Sequence, residues 1–215
     1  LPETQEQWMA FAYLLGAMSG NTRVSKGNKV TITKKLSSPQ GNKRFSDAVK
    51  TITGRASSSS KGKQFIHNRR FITTLDKMLE RDLTVYVKNQ EERRTFLRGY
   101  FDATEHSFLP GKRFIYVISV RNPHAASMLM RTLFEDGIYP HYKESHSRHD
   151  TYYEMTIQGI QGFRHFESLG LLTKIKEKEK LRAYLQQREH DSLPTLTQFY
   201  AVEKALHTED YTTKI

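Results

Sequence analysis

Cysteine is absent from the 215 residues, which removes a disulfide framework and any thiolate-built zinc or iron–sulfur site. No apolar run approaches the ~18 residues that a membrane-spanning helix requires. The opening Leu1-Pro2-Glu3-Thr4-Gln5-Glu6 carries acid and no base, so the basic lead of a secretory signal is missing. The expectation is a soluble, intracellular protein of the cytoplasm, nucleoid or an organelle. There is no glycine-rich phosphate loop, no zinc-protease motif and no Ser-His-Asp arrangement, so nucleotide hydrolysis and acyl transfer have no support. Tryptophan occurs once, yet 12 Phe and 11 Tyr supply enough large apolar surface for an ordinary core.

Acidic residues are the minority, 23 Asp and Glu against 34 Lys and Arg, for a net charge of +11. A folded domain with this excess most simply meets a polyanion, because Lys and Arg that neutralise phosphates release condensed counterions. Nucleic acid is the first partner to consider, and a merely solvated basic surface is the bland alternative.

Two segments read alike: Tyr13-Leu14-Leu15-Gly16-Ala17-Met18-Ser19-Gly20-Asn21 and Phe96-Leu97-Arg98-Gly99-Tyr100-Phe101-Asp102-Ala103-Thr104. Their glycines lie 83 positions apart. Each follows helix-forming residues and precedes, after a polar stretch, a strand-like run, 29–35 or 113–120. Residues 41–49 and 122–130 then open with turn residues and become helical, and Asn122-Pro123 suits a cap with proline at the first helical position. Residues 133–138 read as a helix stopped by Gly137. Residues 152–159 alternate as a strand and 160–169 as a short helix, with 64–67 and 68–79 as their first-half counterparts. The chain thus reads as two copies of one α/β unit of about 85 residues. They span residues 1–90 and 91–172, with a helical linker and tail over 173–215. In that tail, 174–182 is charged and helical, most simply a solvated linker. Pro194 restarts a helix over 197–207. Residues 208–215 form a turn into another helix that the chain end cuts short, as in a piece of a longer protein.

The glycine-centred pair, its spacing and the run of elements after each copy resemble the LAGLIDADG family of homing endonucleases, in the form where one chain carries both motifs. The likeness covers about residues 8–172. Leu97-Arg98-Gly99-Tyr100-Phe101-Asp102-Ala103 matches the motif well, whereas Leu14 to Thr22 departs from it letter by letter. A glycine on a helix face lets two backbones approach closely, so Gly16 and Gly99 would pack two motif helices about a pseudo-twofold axis. The resemblance implies an α/β (α+β) fold of two αββαββα half-domains whose four-stranded sheets form a saddle along the major groove of duplex DNA. In the family each motif helix ends in a carboxylate, and the pair holds divalent metal at the scissile phosphates, where hard oxygen ligands suit Mg²⁺.

Here the acidic position, five residues after the motif glycine, falls on Asn21 and Thr104, and neither is an anion. A neutral amide or hydroxyl offers a dipole but no charge to hold Mg²⁺ against its hydration shell. No catalytic residue and no cofactor are therefore expected. Glu105 stands one place late and would restore one acid if the second copy carries a one-residue insertion. An engineered aspartate-to-asparagine change at position 21 reads the same way. Mg²⁺ enters only if the alternative, an active site-specific endonuclease, holds.

Residues of one parity in a strand share a face. Lys29, Thr31, Thr33 and Lys35 share a polar face opposite Val30 and Ile32, with Lys26 just before them. In the second half Tyr152, Glu154, Thr156 and Gln158 alternate against Tyr153, Met155 and Ile157. Any antiparallel sheet with one wet face alternates in this way, and the net charge tips the reading toward a groove-facing surface. Arg55 to Lys63 is a flexible, basic, hydroxyl-rich turn in which Arg55, Lys61 and Lys63 suit phosphates. Arg113, Arg121, Lys143 and Arg148 complete the basic candidates, and Asn68-Arg69-Arg70 could lie beside the backbone. His141, His146 and His149 crowd one stretch, but no cysteine or carboxylate pattern completes a zinc set, and a polar loop on the DNA side is preferred.

Residues 197–206 and 211–215 resemble the opening of a helix-turn-helix, and one bacterial class of transcription regulators joins such a module to a degenerate scaffold of this kind. The reading is a sequence-specific double-stranded DNA-binding protein, non-cleaving and regulator- or maturase-like, a monomer with internal pseudo-symmetry and no membrane partner. An α/β domain that binds protein and is basic by accident is the remaining possibility.

Overall fold

A computed structural model describes residues 2–20, 23–26, 30–36, 38–60, 63–104, 108–109, 114–146, 151–172 and 175–192. Asn21, Lys29, Lys61, Glu105, Arg113, Arg148, His149 and the tail helix expected over 197–207 lie outside them.

The first unit runs α1 (Gln5–Ser19), β1 (Arg23–Lys26), β2 (Val30–Lys35), α2 (Pro39–Thr53), β3 (Ser58–Ser60), β4 (Lys63–Ile66) and α3 (Arg69–Leu79). After a 3₁₀ turn at Leu83–Val85 the second repeats the order: α4 (Gln90–Ala103), β5 (Phe108–Leu109), β6 (Ile115–Val120), α5 (Pro123–Glu135), β7 (His141–His146), β8 (Thr151–Gln158) and α6 (Ile160–Ser168). α7 (Ile175–Ser192) comes last. Both sheets are antiparallel, in the orders β1-β2-β4-β3 and β5-β6-β8-β7. This is the mixed α/β architecture expected from the repeat.

Local signals fix the helix ends. Thr4 and Asn89 cap α1 and α4, each side chain accepting the amide three residues on. Glu92 reaches back from the first turn of α4 to the Lys88 amide at 2.7 Å, a reciprocal cap. α2 and α5 are twins: Ser38-Pro39 and Asn122-Pro123 begin them, and Gly54 and Gly137, both at φ 74°, lie just past their ends.

The two halves meet where α1 crosses α4. Every residue from Phe11 to Ser19 is buried, so this helix has no solvent stripe and can only be a core element. A Cβ on Gly16 would overlap the Phe96 carbonyl oxygen and come within 3.0 Å of the Tyr100 amide nitrogen. A Cβ on Gly99 would overlap the Tyr13 carbonyl oxygen and come within 3.0 Å of the Ala17 nitrogen. The contacts are mutual and equivalent, which is the signature of a twofold relation between the helices.

Three expectations need correction. The charged helix after residue 174 is not a solvated linker: Leu181 and Leu185 are buried, and Tyr184 stacks on Phe114 with centroids 4.3 Å apart. An i, i+3, i+4 apolar stripe inside a charge-rich sequence was the missed signal. Arg55 to Lys63 is not all turn, since Ser58–Ser60 pair with β4 as an edge strand. His141 and His146 open and close a strand rather than sitting in a loop. Their positions differ by an odd number, so they belong to opposite faces and cannot share a metal.

Among the described residues no helix is long and apolar enough to cross a membrane. Gly16→Ala or Gly99→Ala is expected to cost about 3 kcal/mol or more, because the opposing group is backbone and cannot rotate away. Denaturant titration checks this, and a loss below about 1 kcal/mol would contradict the close crossing. Burial also holds the Tyr100 and Tyr116 phenols above the ordinary value of 10.0. Their stabilising effect is complete below pH 10 and is lost above it, where only the unfolded chain ionises, by up to about 1.4 kcal/mol per pH unit for each phenol. Tyr100→Phe should reduce the steepness of alkaline destabilisation by one proton.

Candidate nucleic-acid interface

Cross-strand partners share a face, so the register decides which residues point away from the core. In the first sheet, Ile66 and Gln64 of β4 are buried, and Ile32 and Lys34 are their partners. The opposite, open face carries Lys63, Phe65, Ser58 and Ser60, and Arg23, Ser25, Thr31, Thr33 and Lys35 stand at the same parity in the strand register. The four strands contain no carboxylate. Gln64 is satisfied in the core, donating to the Asn42 oxygen at 3.0 Å and accepting from Ser57 at 2.7 Å.

In the second sheet, Tyr116, Ile118, Val120, Met155 and Ile157 are buried. Ile115, Val117, Ser119, Tyr152, Glu154, Thr156 and Gln158 form the open face, joined across the β7 register by His141, Lys143 and Ser145. Lys143 stands opposite Glu154 in the register, so this sheet carries a carboxylate beside its lysine. Arg121 is exposed, lies 5.1 Å from the Tyr152 ring centroid and donates to its hydroxyl at 3.0 Å. This half of the surface is polar and aromatic, whereas the first is cationic.

Of the sequence-derived candidates, Thr31, Thr33 and Lys35 stand at the register parity of the exposed Lys63 in the first sheet, and Lys143, Thr156 and Gln158 share one parity in the second. Arg55 is exposed beside β3. Lys26 pairs with Val30 in the register, at the parity of Val24 and Ile32, whereas Arg23 and Ser25 take the parity of Thr33 and Thr31. They were missed because a four-residue strand, Arg23-Val24-Ser25-Lys26, gives too short an alternation to recognise.

The ends of the motif helices carry the chemistry in question. Thr104 caps α4 in an extended conformation, and its hydroxyl donates to the Tyr100 carbonyl at 2.8 Å. The motif carboxylate two residues earlier, Asp102, is fully buried and bound bidentately by Arg44, both contacts 2.7 Å, with the Tyr13 hydroxyl donating at 2.8 Å. Burial first, and then the adjacent Asp102 charge, push the Tyr13 phenol well above its ordinary range. The hydrogen bond to Asp102 raises Arg44. Arg98 donates to the Gly170 and Leu169 carbonyls at 2.6 and 3.0 Å, closing the end of α6. Among the described residues no group of three or more His, Asp or Glu could hold a metal ion. Among the described residues here, both Asp102 oxygens already bind Arg44, and Thr104 offers only a neutral hydroxyl.

The sequence matches no protein-family model and no curated protein. Solved structures do match. Full-length DUF199/WhiA from Thermatoga maritima aligns over 97% of this chain and 69% of its own, at 14% identity and a TM-score of 0.57. The N-terminal LAGLIDADG domain of DUF199/WhiA aligns over 84% and 90%, at 15% identity and 0.55. The homing endonuclease I-DmoI, in a complex with DNA and Mn, aligns over 80% and 100%, at 18% identity and 0.51. The chain therefore has a LAGLIDADG-like fold, the class that its two glycine-crossed helices and paired four-stranded sheets define.

The Arg44–Asp102 pair yields an unequal prediction for its two members. Arg44→Ala strands a buried carboxylate and is expected to cost about 3–5 kcal/mol in urea unfolding. Arg44→Ala combined with Asp102→Ala removes both charges and should cost less than the single change. A double variant at least as unstable as Arg44→Ala would mean that Asp102 contributes through packing rather than charge.

Proposed function

We propose that this chain is a sequence-specific double-stranded DNA-binding protein built on a LAGLIDADG scaffold, and that it does not cleave. One observation carries the reading: the strands of the first sheet set Arg23, Lys35 and the exposed Lys63 at one register parity and contain no carboxylate. A β-surface of this kind fits the major groove, where Arg, Lys, Gln and Thr can pair with phosphates and base edges. The second face, with Gln158, Thr156 and the Arg121–Tyr152 pair, supplies side chains suited to base edges over bulk charge. Partial fold likeness to I-DmoI, which was crystallised with DNA, supports the placement by analogy of architecture only.

The non-cleaving part of the proposal is supported by Asp102 being locked by Arg44 and by a neutral Thr104 at the end of α4. Asn21 supplies no anion at the corresponding place in the first half. A regulator- or maturase-like role, a monomeric state and a location inside the cell with nucleic acid complete the proposal. An active endonuclease is the second reading, favoured only by Glu105 beside the expected acidic position.

Selection from random duplexes, run with and without Mg²⁺, tests both readings together. The expected result is an enriched site, no Mg²⁺-dependent double-strand break, and affinity that falls steeply with salt, by about 0.9 in log–log slope for each phosphate neutralised. Lys63→Glu, at an exposed strand position, should lower that slope by about 1 and leave the melting curve unchanged. Salt-independent binding would refute the saddle as a phosphate-neutralising surface, and a defined break would establish the nuclease.

A further inference from the structure

A cleft of about 670 Å³ opens at the corner of the first unit, between the end of α2, the start of β3 and the start of α3, with Arg55, Ser57, Phe65, His67 and Arg69 in its lining. That volume lies within the range of small-molecule sites. Arg55 and Arg69 are exposed, and among the described residues neither forms an ion pair with a carboxylate. Phe65 and His67 share a strand face, their rings parallel to within 1° and their centroids 6.4 Å apart. The Ser58 hydroxyl lies 3.2 Å from His67 Nε2 and holds the imidazole in place.

The internal twofold supplies a control. The offset of 83 that relates Gly16 to Gly99 also relates Gly54 to Gly137 and Ser58 to His141. Phe65 pairs with Ser58 as Thr156 pairs with His141. Arg55, Phe65, His67 and Arg69 thus correspond to Ile138, Thr156, Gln158 and Ile160. Ile138 is fully buried. The second unit closes this corner with an apolar plug, while the first leaves it open, cationic and aromatic. The fold does not require those four residues, and their types coincide with the two halves of one ligand class.

We propose that this cleft binds a nucleotide, with the base against the Phe65–His67 face and the phosphate between Arg55 and Arg69. Guanidinium groups match phosphate oxygens in a fork, and a planar base stacks on aromatic faces with little regard to sequence. The ligand is either a free nucleotide or a nucleotide splayed from a nucleic-acid strand, and the chemistry of recognition is the same. The cleft borders the open face of the first sheet, whose Phe65 and Ser58 line it, and its proposed ligand does not depend on duplex binding there.

Calorimetry on the full chain decides the matter, with AMP, CMP, GMP and UMP, inorganic phosphate, a blunt duplex, and the same duplex with a short single-stranded overhang as probes. Binding of the monophosphates more tightly than phosphate, weakened about tenfold or more by Arg55→Ala with Arg69→Ala and also by His67→Ala, establishes a free-nucleotide site. Silence from the monophosphates, with the overhang duplex preferred over the blunt one until the arginines are replaced, establishes the strand-borne source. Both arginines are exposed, so circular dichroism is expected to show an unchanged fold. The proposal is overturned if the arginine variant binds every probe as the unaltered chain does, or if phosphate alone binds as tightly as the nucleotides. Blunt-duplex affinity, read in the same series, reports the saddle separately.

Discussion

The close crossing of α1 and α4 is the constraint on which the rest of the molecule depends. Helix backbones can approach this closely only where the facing residue has no side chain, and Gly16 and Gly99 provide that pair of notches. The crossing buries the whole C-terminal half of α1 and sets the two repeated units in equivalent contact about one axis. A residue with a Cβ at either notch would separate the units and dismantle the common surface.

Symmetry of backbone does not extend to chemistry. In the second motif Asp102 is drawn sideways into a structural role, tying α4 to α2 through Arg44 and to α1 through Tyr13. The corresponding residue of the first motif, Ser19, donates to its own helix at Leu15. A half-exposed Arg44 can hold a buried carboxylate because its far edge keeps contact with water, which lessens the desolvation cost of the pair. The two sheets differ too: the strands of the first contain no carboxylate, and the open face of the second is polar and aromatic and includes Glu154. A duplex-binding surface so divided would take its charge from one half and much of its discrimination from the other.

A good part of this was legible in residue order. The glycine pair, the 83-residue period, Asn122-Pro123 as a cap, Gly137 as a stop and the alternation of 152–158 all act locally, and each appears where its pattern placed it. The parity of Thr31, Thr33 and Lys35 was readable for the same reason, since alternation in a strand needs no partner. What escaped were edge strands of two to six residues, Arg23–Lys26, Ser58–Ser60, Phe108–Leu109 and His141–His146, whose sequences are too short or too polar to alternate visibly. They are strands only because a neighbour offers a row of unpaired backbone groups. The buried stripe of α7 was hidden among lysines and glutamates for a related reason: Leu181, Tyr184 and Leu185 acquire meaning only once Phe114 and Phe163 lie opposite them.

Amino-acid order settled the repeat, most helix boundaries, the two close-approach glycines and the neutral residues at positions 21 and 104, because these follow from backbone sterics, capping and charge within a few residues. Tertiary structure alone decided that Lys26 takes the register of Val30, that Asp102 is bound by Arg44 58 positions away, and that Arg55, Phe65, His67 and Arg69 meet around one cleft. Such outcomes depend on register and on long-range neighbours, and neither is encoded in any window short enough to read along the chain.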